Sequence, residues 1–563
     1  MFKFFQFLLS LILAILLVSK PAFAQVPTGV LLHQKSNSSP VEPLSSQQRD
    51  ALADPFFNLV LKERADATSL SELEDLIQPD KTKRETFVVD EKIADPTIGQ
   101  SRRSVLTYSG TNKTEMLNSN VMLSVSFNSN EFPDRQAVEA WGWDKKQGRY
   151  NYYKLDGQGT GTLSWKFRGS SDNADKLTLA ERNGTCMECH INGAPIMKEL
   201  LRPWNNWASL DFPVTYLQTS SLSKWLVAED SKINGRLGDA YDLERLIVAP
   251  IREFNRAKIG KMLQVDNNKQ PITDSDGLQK VIDAQRLLKP LFATTEFNII
   301  SADRVLSGLH PFPAITTGSP AQNVKIPNSF FLNANLISGG TPLNYKGLEI
   351  RDSQTFDDDD LADLTPDEYK DLVIQSQVKL GERQPGDAVF AWLVPEPSHI
   401  DNDLVDQLMK QGVVTPQFVS AVMAIDLENP ILSEKRQKLL DLIPNEFRFK
   451  PLNGADPLTT KNHPDELTQT VISKLESLSP SSSSPEGEFL AILKSSDPRK
   501  LLEDRVKEYR SRLDTNLDKS NPDSRKAELK RLYDLAIARR ESILNNPTLS
   551  KLNETKNLLF PVP

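Results

Sequence analysis

Between Arg84 and Arg168 the hydrophobic pattern repeats every second residue, and no other stretch restricts the fold as tightly. Glu85–Asp90, Ser104–Ser109 and Val121–Phe127 are short runs rich in β-branched or aromatic residues. Ala137–Trp143 leads through Asp144-Lys145-Lys146-Gln147-Gly148 into Arg149–Leu155, which reads as a hairpin with a Gly-containing turn. Leu163, Trp165 and Phe167 alternate with Ser164, Lys166 and Arg168, as in a strand with one buried face. The connections are too short for crossover helices, so the strands are expected to pair antiparallel. The expected fold class is therefore α+β: an antiparallel β-meander followed by a mainly α-helical region and further helical segments.

The chain around this block divides by composition. Leu8–Val18 is an apolar run behind Lys3, and Ala22-Phe23-Ala24 offers a small-x-small cleavage site before Gln25. Residues 1–24 thus read as a signal peptide, since the run is short for a membrane span. The expected product is periplasmic or otherwise exported, with no stable membrane anchor after cleavage. Residues 25–83 are expected to be helical or irregular, with helical patterns at Asp50–Arg64 and Ser69–Ile77, the latter capped by Ser69 or Ser71. The sheet occupies 84–170.

Residues 171–300 read as chiefly helical. Asp172–Arg182 suggests a helix ended by Gly184, and Leu222–Leu226, Tyr241–Lys261 and Gly277–Phe292 have apolar residues three and four apart. Residues 301–476 are mixed and then helical, with helices expected at Asp403–Gln411, Pro416–Leu427 and Ser433–Leu442. The run 477–487, rich in Ser and Pro, has linker composition. Residues 488–563 are expected to form a helical hairpin of Pro498–Asp514 and Asp523–Leu544, with Leu529, Leu532, Tyr533, Ala536 and Ile543 on one stripe. The acidic run Asp357–Asp360 lacks the glycine and spacing of a calcium loop and reads as a solvated loop.

The chemistry concentrates in one place. The only two cysteines lie in Thr185-Cys186-Met187-Glu188-Cys189-His190, a C-x-x-C-H sequence. This is the attachment signature of haem c: two thiols at this spacing reach the two vinyl groups of one porphyrin, and the next histidine meets the iron. A short-loop disulfide, a thioredoxin-like redox pair and a zinc site are the competing readings. The redox pair wants a preceding strand in a βαβ unit, and zinc wants further thiol or imidazole ligands near by.

The five motif positions and the leader resemble the c-type cytochromes. Arg182–Trp207, with Asn192-Gly193-Ala194-Pro195 and Arg202-Pro203-Trp204-Asn205-Asn206-Trp207, is similar to a group of large exported bacterial proteins with a single haem-c motif. The resemblance covers a small part of the chain and carries over no assigned activity. It implies one covalently attached haem c in the 171–300 region, with Cys186 and Cys189 linked to the porphyrin and His190 as the proximal iron ligand. For the opposite side of the iron, Met197 in the Gly/Pro loop and Met262 further on are the first candidates, with His310 and His399 also in reach. Met262 reads first as an ordinary gap-filling core residue. His33 and His463 look like solvated residues.

Five of the seven tryptophans, at 141, 143, 165, 204 and 207, cluster around the hairpin and the motif. They read as sheet core or as one wall of a haem pocket. Arg168, Arg182 and Arg202 bracket the motif and could pair with haem propionates.

The net charge of −8, more acidic once the leader is removed, gives no support for a nucleic-acid partner. No phosphate loop, H-E-x-x-H or nucleophile elbow is present. The expected function is one-electron transfer to or from a redox partner protein. The alternatives are a haem-dependent oxidoreductase of peroxidase or oxidase type with an open iron site, or a haem-carrying binding or sensor protein. An electron shuttle needs only about 100 residues, so the extra length leaves these alternatives standing.

Overall fold

The structure, a computed structural model, describes residues 31–34, 40–77, 82–91, 101–110, 121–128, 137–156, 163–178, 181, 185–188, 190, 192–195, 237–238, 240–293, 297–298, 324–325, 363–368, 371, 396–397, 399–429, 433–460 and 465–544. The leader, Cys189, Met197, His310, His463, the tryptophans at 204 and 207, Arg182, Arg202, Leu222–Leu226 and the Asp357–Asp360 run lie outside them.

A nine-stranded sheet organises the fold. Its strands are β1 (Leu32–His33), β2 (Glu42–Pro43), β3 (Thr82–Glu91), β4 (Ser101–Gly110), β5 (Val121–Asn128), β6 (Ala137–Asp144), β7 (Arg149–Asp156), β8 (Ser164–Ser170) and β9 (Leu237–Gly238). Their spatial order is β2-β1-β8-β7-β6-β5-β4-β3-β9. From β3 to β8 each strand pairs antiparallel with the next. Both edges depart from that pattern. Leu32 and His33 run parallel to Lys166 and Phe167, and Leu237 and Gly238 run parallel to Thr86 and Phe87.

The expectation of a simple antiparallel meander confined to 84–170 is thus corrected: the sheet is mixed and recruits strands from both flanks. The physical reason is the edge problem, because β3 and β8 would otherwise expose rows of unpaired backbone groups. Two-residue strands are too short to show a period, so sequence pattern does not reveal them. One sheet neighbour also corrects the reading of His33. It is half-buried, its ring 5.9 Å from that of Phe167.

Alternation gives the sheet two apolar faces. One carries Tyr108, Val121, Leu123, Val125, Val138, Ala140, Tyr153, Leu155 and Trp165 and is covered by the N-terminal segment through Phe56, Val60, Leu61, Leu73 and Ile77. Phe56 meets Trp165 edge-on at 5.1 Å, and the Trp165 indole N–H donates to the Ala67 carbonyl at 2.7 Å. Helix α1 (Leu70–Ile77) starts at a reciprocal cap: Ser69 Oγ accepts from the Glu72 N–H while the Glu72 carboxylate accepts from the Ser69 N–H. The 50–64 stretch is broken, with a short helix at Ser46–Asp50 and a π-helical turn at Phe57–Leu61. Asp54 marks the break by accepting from the Phe57 N–H.

The other face carries Met122, Trp141, Trp143, Tyr150 and Tyr152 and shares one continuous core with the helices. These are α2 (Ala240–Lys261), α3 (Ala284–Phe292), α4 (His399–Gln411), α5 (Pro416–Ala424), α6 (Glu466–Leu478), α7 (Pro485–Leu493), α8 (Pro498–Asn516) and α9 (Pro522–Leu544). Ile247, Ile251 and Phe254 of α2 pack toward the sheet's core, and the ring of Phe254 is 6.1 Å from that of Tyr150. Leu529, Leu532 and Tyr533 of α9 are buried in the same core.

Three local expectations change. The helix expected over Gly277–Phe292 begins only at Ala284, because Gln279–Val281 pairs with Phe447–Phe449. Asp274 Oδ1 accepts from the backbone of Asp276 and Leu278, a turn that competes with helix. After β8 the chain makes a 3₁₀ turn, Ser171–Lys176, where the helix expected over Asp172–Arg182 would begin, and Arg182 itself lies outside the described residues. The Ser/Pro run at 477–487 closes a tight turn. Ser479 ends α6 in the left-handed conformation, and Ser484 Oγ caps α7 by accepting from the Gly487 N–H.

A buried polar cluster joins the N-terminal layer to the sheet. Asp54 is fully buried and accepts from the Tyr153 hydroxyl at 2.5 Å, the Asn151 amide at 2.9 Å and the Phe57 N–H. Asp144 accepts from the Ala53 and Gln147 N–H groups beside it. Burial, the largest influence, lifts the Asp54 carboxyl from 3.8 to about 6, with Asp144 adding to the rise, although the three donors oppose it. An acid with a folded pKa above its unfolded one binds an extra proton in the folded state. The resulting stability is complete below about pH 4 and is lost as the pH rises through about 6. At about 1.4 kcal/mol per tenfold change in proton affinity, the full effect is about 3 kcal/mol. Asp54→Asn should flatten this dependence. Melting curves between pH 4 and 6 should show wild type losing stability relative to the variant as the pH rises.

Candidate cofactor-attachment site

The aromatic face of β6 and β7 is the floor of the site. Trp141 and Tyr152 are both buried, with ring centroids 6.4 Å apart. The chain reaches this floor through the 3₁₀ turn after β8. There Ser171 Oγ accepts from the Tyr150 N–H at 2.9 Å, which ties the turn to the sheet.

Ion pairs hold the same turn to the helices. Asp172 meets Arg149 at 3.1 Å and also pairs with Lys261 at the end of α2. Asp175 accepts from Arg286 Nε at 2.8 Å, and Lys258 lies 3.5 Å away. Burial alone would raise the Asp175 carboxyl, yet the Arg286 bond and the two positive charges leave it below its ordinary value.

Beyond the turn, the motif folds back onto the aromatic floor. Thr185 Oγ1 accepts from the Met187 N–H, and Cys186–Glu188 forms one 3₁₀ turn. The His190 N–H donates to the Cys186 carbonyl at 2.9 Å, a backbone bond that holds the two motif residues together. Cys186, Met187 and His190 are all buried. The imidazole centroid is 5.0 Å from that of Tyr152 and 5.5 Å from that of Trp141.

His190 Nδ1 lies 2.6 Å from the Ala194 carbonyl oxygen. A carbonyl only accepts, so Nδ1 carries the proton, and in the neutral imidazole Nε2 then carries the lone pair. That is the tautomer a histidine needs to bind a metal through Nε2, with its other nitrogen held by a backbone acceptor. The Ala194 carbonyl reaches this position because Gly193, at φ +73°, turns the chain back. The Gly193 N–H donates to the His190 carbonyl at 2.8 Å.

The residues described here fit the group that the motif implies. Cys186 and His190 supply one thiol and one correctly oriented imidazole. The Trp141 indole N–H is buried beside the imidazole and meets no acceptor among the described residues. A buried donor of this kind costs about 1–3 kcal/mol unless a bound group supplies the acceptor. Among the described residues, no group of three or more His, Cys, Asp or Glu is arranged to hold a metal ion.

Of the other candidates, Met262, His399 and Arg168 lie among the described residues. Met262 is buried in the core just past α2, with its carbonyl accepting from the Ile282 N–H. His399 opens α4. Arg168 is buried and donates to Gln34 Oε1 at 2.6 Å, next to β1. Trp165 packs on the opposite face of the sheet, so Trp141 is the described tryptophan whose ring contacts the motif histidine. Sequence reasoning missed the Ala194 carbonyl and the Tyr152 hydroxyl. The Asn192-Gly193-Ala194-Pro195 turn was the visible signal, but a backbone acceptor has no residue-type signature.

No family model, curated protein or solved structure matches the chain. No helix among the described residues is long and apolar enough to cross a membrane.

The turn at Gly193 is testable. A Cβ there would lie 2.6 Å from Ser171 Cβ and 2.7 Å from its Cα. Gly277 has a similar φ, +77°, with nothing within 4 Å of an added Cβ. Gly277→Ala should therefore cost only the conformational penalty, about 1–2 kcal/mol. Gly193→Ala should cost at least about 2 kcal/mol more, because the Ser171 backbone must also move. Urea titrations of the two variants measure the difference.

Proposed function

We propose that this chain is an exported protein that holds one haem c covalently through Cys186 and Cys189, with His190 as the proximal iron ligand, and transfers single electrons. The observation that carries the reading is the His190 Nδ1–Ala194 contact at 2.6 Å within a C-x-x-C-H turn. It orients the imidazole for Nε2 coordination, whereas a structural disulfide or dithiol pair requires nothing of the next histidine. The Trp141 N–H, without an acceptor among the described residues, supports the reading as well, since a haem carries two carboxylates that accept hydrogen bonds.

When bound, the haem supplies a one-electron iron couple. The chain's own residues do the rest. The thiols would tether the group, and His190, with Nδ1 held by the Ala194 carbonyl, would offer Nε2 to the iron. Trp141, Tyr152 and Met187 exclude water from the motif side, and a drier setting disfavours the more highly charged iron state. The leader, residues 1–24, supports export, where covalent haem attachment takes place, and the partner would be a redox protein.

The test is to express the full chain in a host with a haem-c attachment pathway. The intact mass should include one covalent haem, and the reduced-minus-oxidised spectrum should be that of a c-type haem. Cys186→Ser with Cys189→Ser should abolish the covalent increment. A wild-type chain that exports normally yet carries no haem would overturn the proposal. Carbon monoxide then distinguishes the roles: a spectrum that does not respond fits electron transfer, and one that does fits an open-iron oxidoreductase or sensor.

A further inference from the structure

The Ala194 carbonyl that holds His190 does not serve His190 alone. The Tyr152 hydroxyl lies 2.8 Å from the same oxygen and 2.8 Å from the Gly193 carbonyl. Neither carbonyl has a hydrogen to give, so the phenol is the donor and shares its single proton between them. Tyr152 is itself fully buried on β7, so bulk water does not replace these bonds. Its ring also packs on the imidazole, with 5.0 Å between centroids and an interplanar angle of 47°. One side chain therefore contacts both the ligand ring and the acceptor that sets the ring's protonation.

We propose that Tyr152 is a positioning residue that tunes the basicity of His190, and through it the iron potential. The inference rests on the haem reading above. A carbonyl that accepts a second hydrogen bond is a weaker acceptor for the first, because each donor draws on the same electron density. With Tyr152 donating, the Nδ1–H of His190 stays more fully on the ring, and Nε2 is a poorer electron donor. Without the phenol, Ala194 draws harder on that proton and the ring gains imidazolate character. A more basic ligand favours the ferric state, so the potential falls. Hydrogen bonding around the axial ligand is one of the protein's main controls over potential.

Tyr152→Phe removes one oxygen and keeps the ring against His190 and Trp141. In protein carrying attached haem, its midpoint potential should drop, by up to about tenfold in the one-electron equilibrium constant, or 59 mV. Fluorinated tyrosine at position 152, a more acidic donor that keeps every heavy atom, should move the potential upward. Potentials identical to wild type in both proteins would overturn the proposal, as would a rise in Tyr152→Phe. If Tyr152→Phe fails to take up haem, the fluorinated protein decides alone. Wild type without covalent haem would instead defeat the haem reading, so the two failures are told apart before any potential is measured.

Discussion

Tyr150 and Tyr152 project from one side of β7, while Tyr153 and Leu155 project from the other. Neither side can face water without exposing large aromatic area, so the sheet must be covered twice. Most of the remaining architecture follows from that requirement. The N-terminal segment covers one side through Phe56 and Leu73, and the helices cover the other through Ile247 and Phe254. The C-x-x-C-H turn lies on the helix side, where its histidine packs against two aromatic rings instead of solvent. Apolar burial supplies the free energy, at roughly 25 cal/mol per Å², and hydrogen bonds such as Trp165 to Ala67 fix the register of the layers.

The sheet's interior was legible because period two is a strong signal over strands of seven to ten residues. The reciprocal cap at Ser69 and Glu72 was legible for a similar reason, since it needs particular side chains at a set spacing. The edges were not. Leu32–His33 and Leu237–Gly238 are pairs whose strand character comes only from the neighbour they meet. The Ser-rich run at 477–487 shows the opposite failure. Its composition is that of a flexible linker, yet Ser484 works there as a helix cap.

The candidate site divides in the same way. Cys186 and His190 are named by a motif, because C-x-x-C-H is a pattern of residue types at a set spacing. The Ala194 carbonyl and the positive φ at Gly193 are backbone properties, so nothing in the letters of the sequence marks them directly. Tyr152 lies inside the Arg149–Leu155 strand run with nothing in its residue type to single it out, and only its hydroxyl contacts set it apart. Arg168 shows the limit of reading by proximity. It sits at the end of the strand leading to the motif, yet its guanidinium turns to Gln34.

The parallel closure at β1 and β8 also bears on how the molecule assembles. Gln34 and Arg168, bonded across this edge, are 134 residues apart in the chain. Such a contact closes a long loop, and its entropy must be spent before the contact gives anything back. The first strand therefore emerges well before its partner exists, and β8 waits with an open edge until the two meet. During that interval the open edge is a template for pairing with another copy.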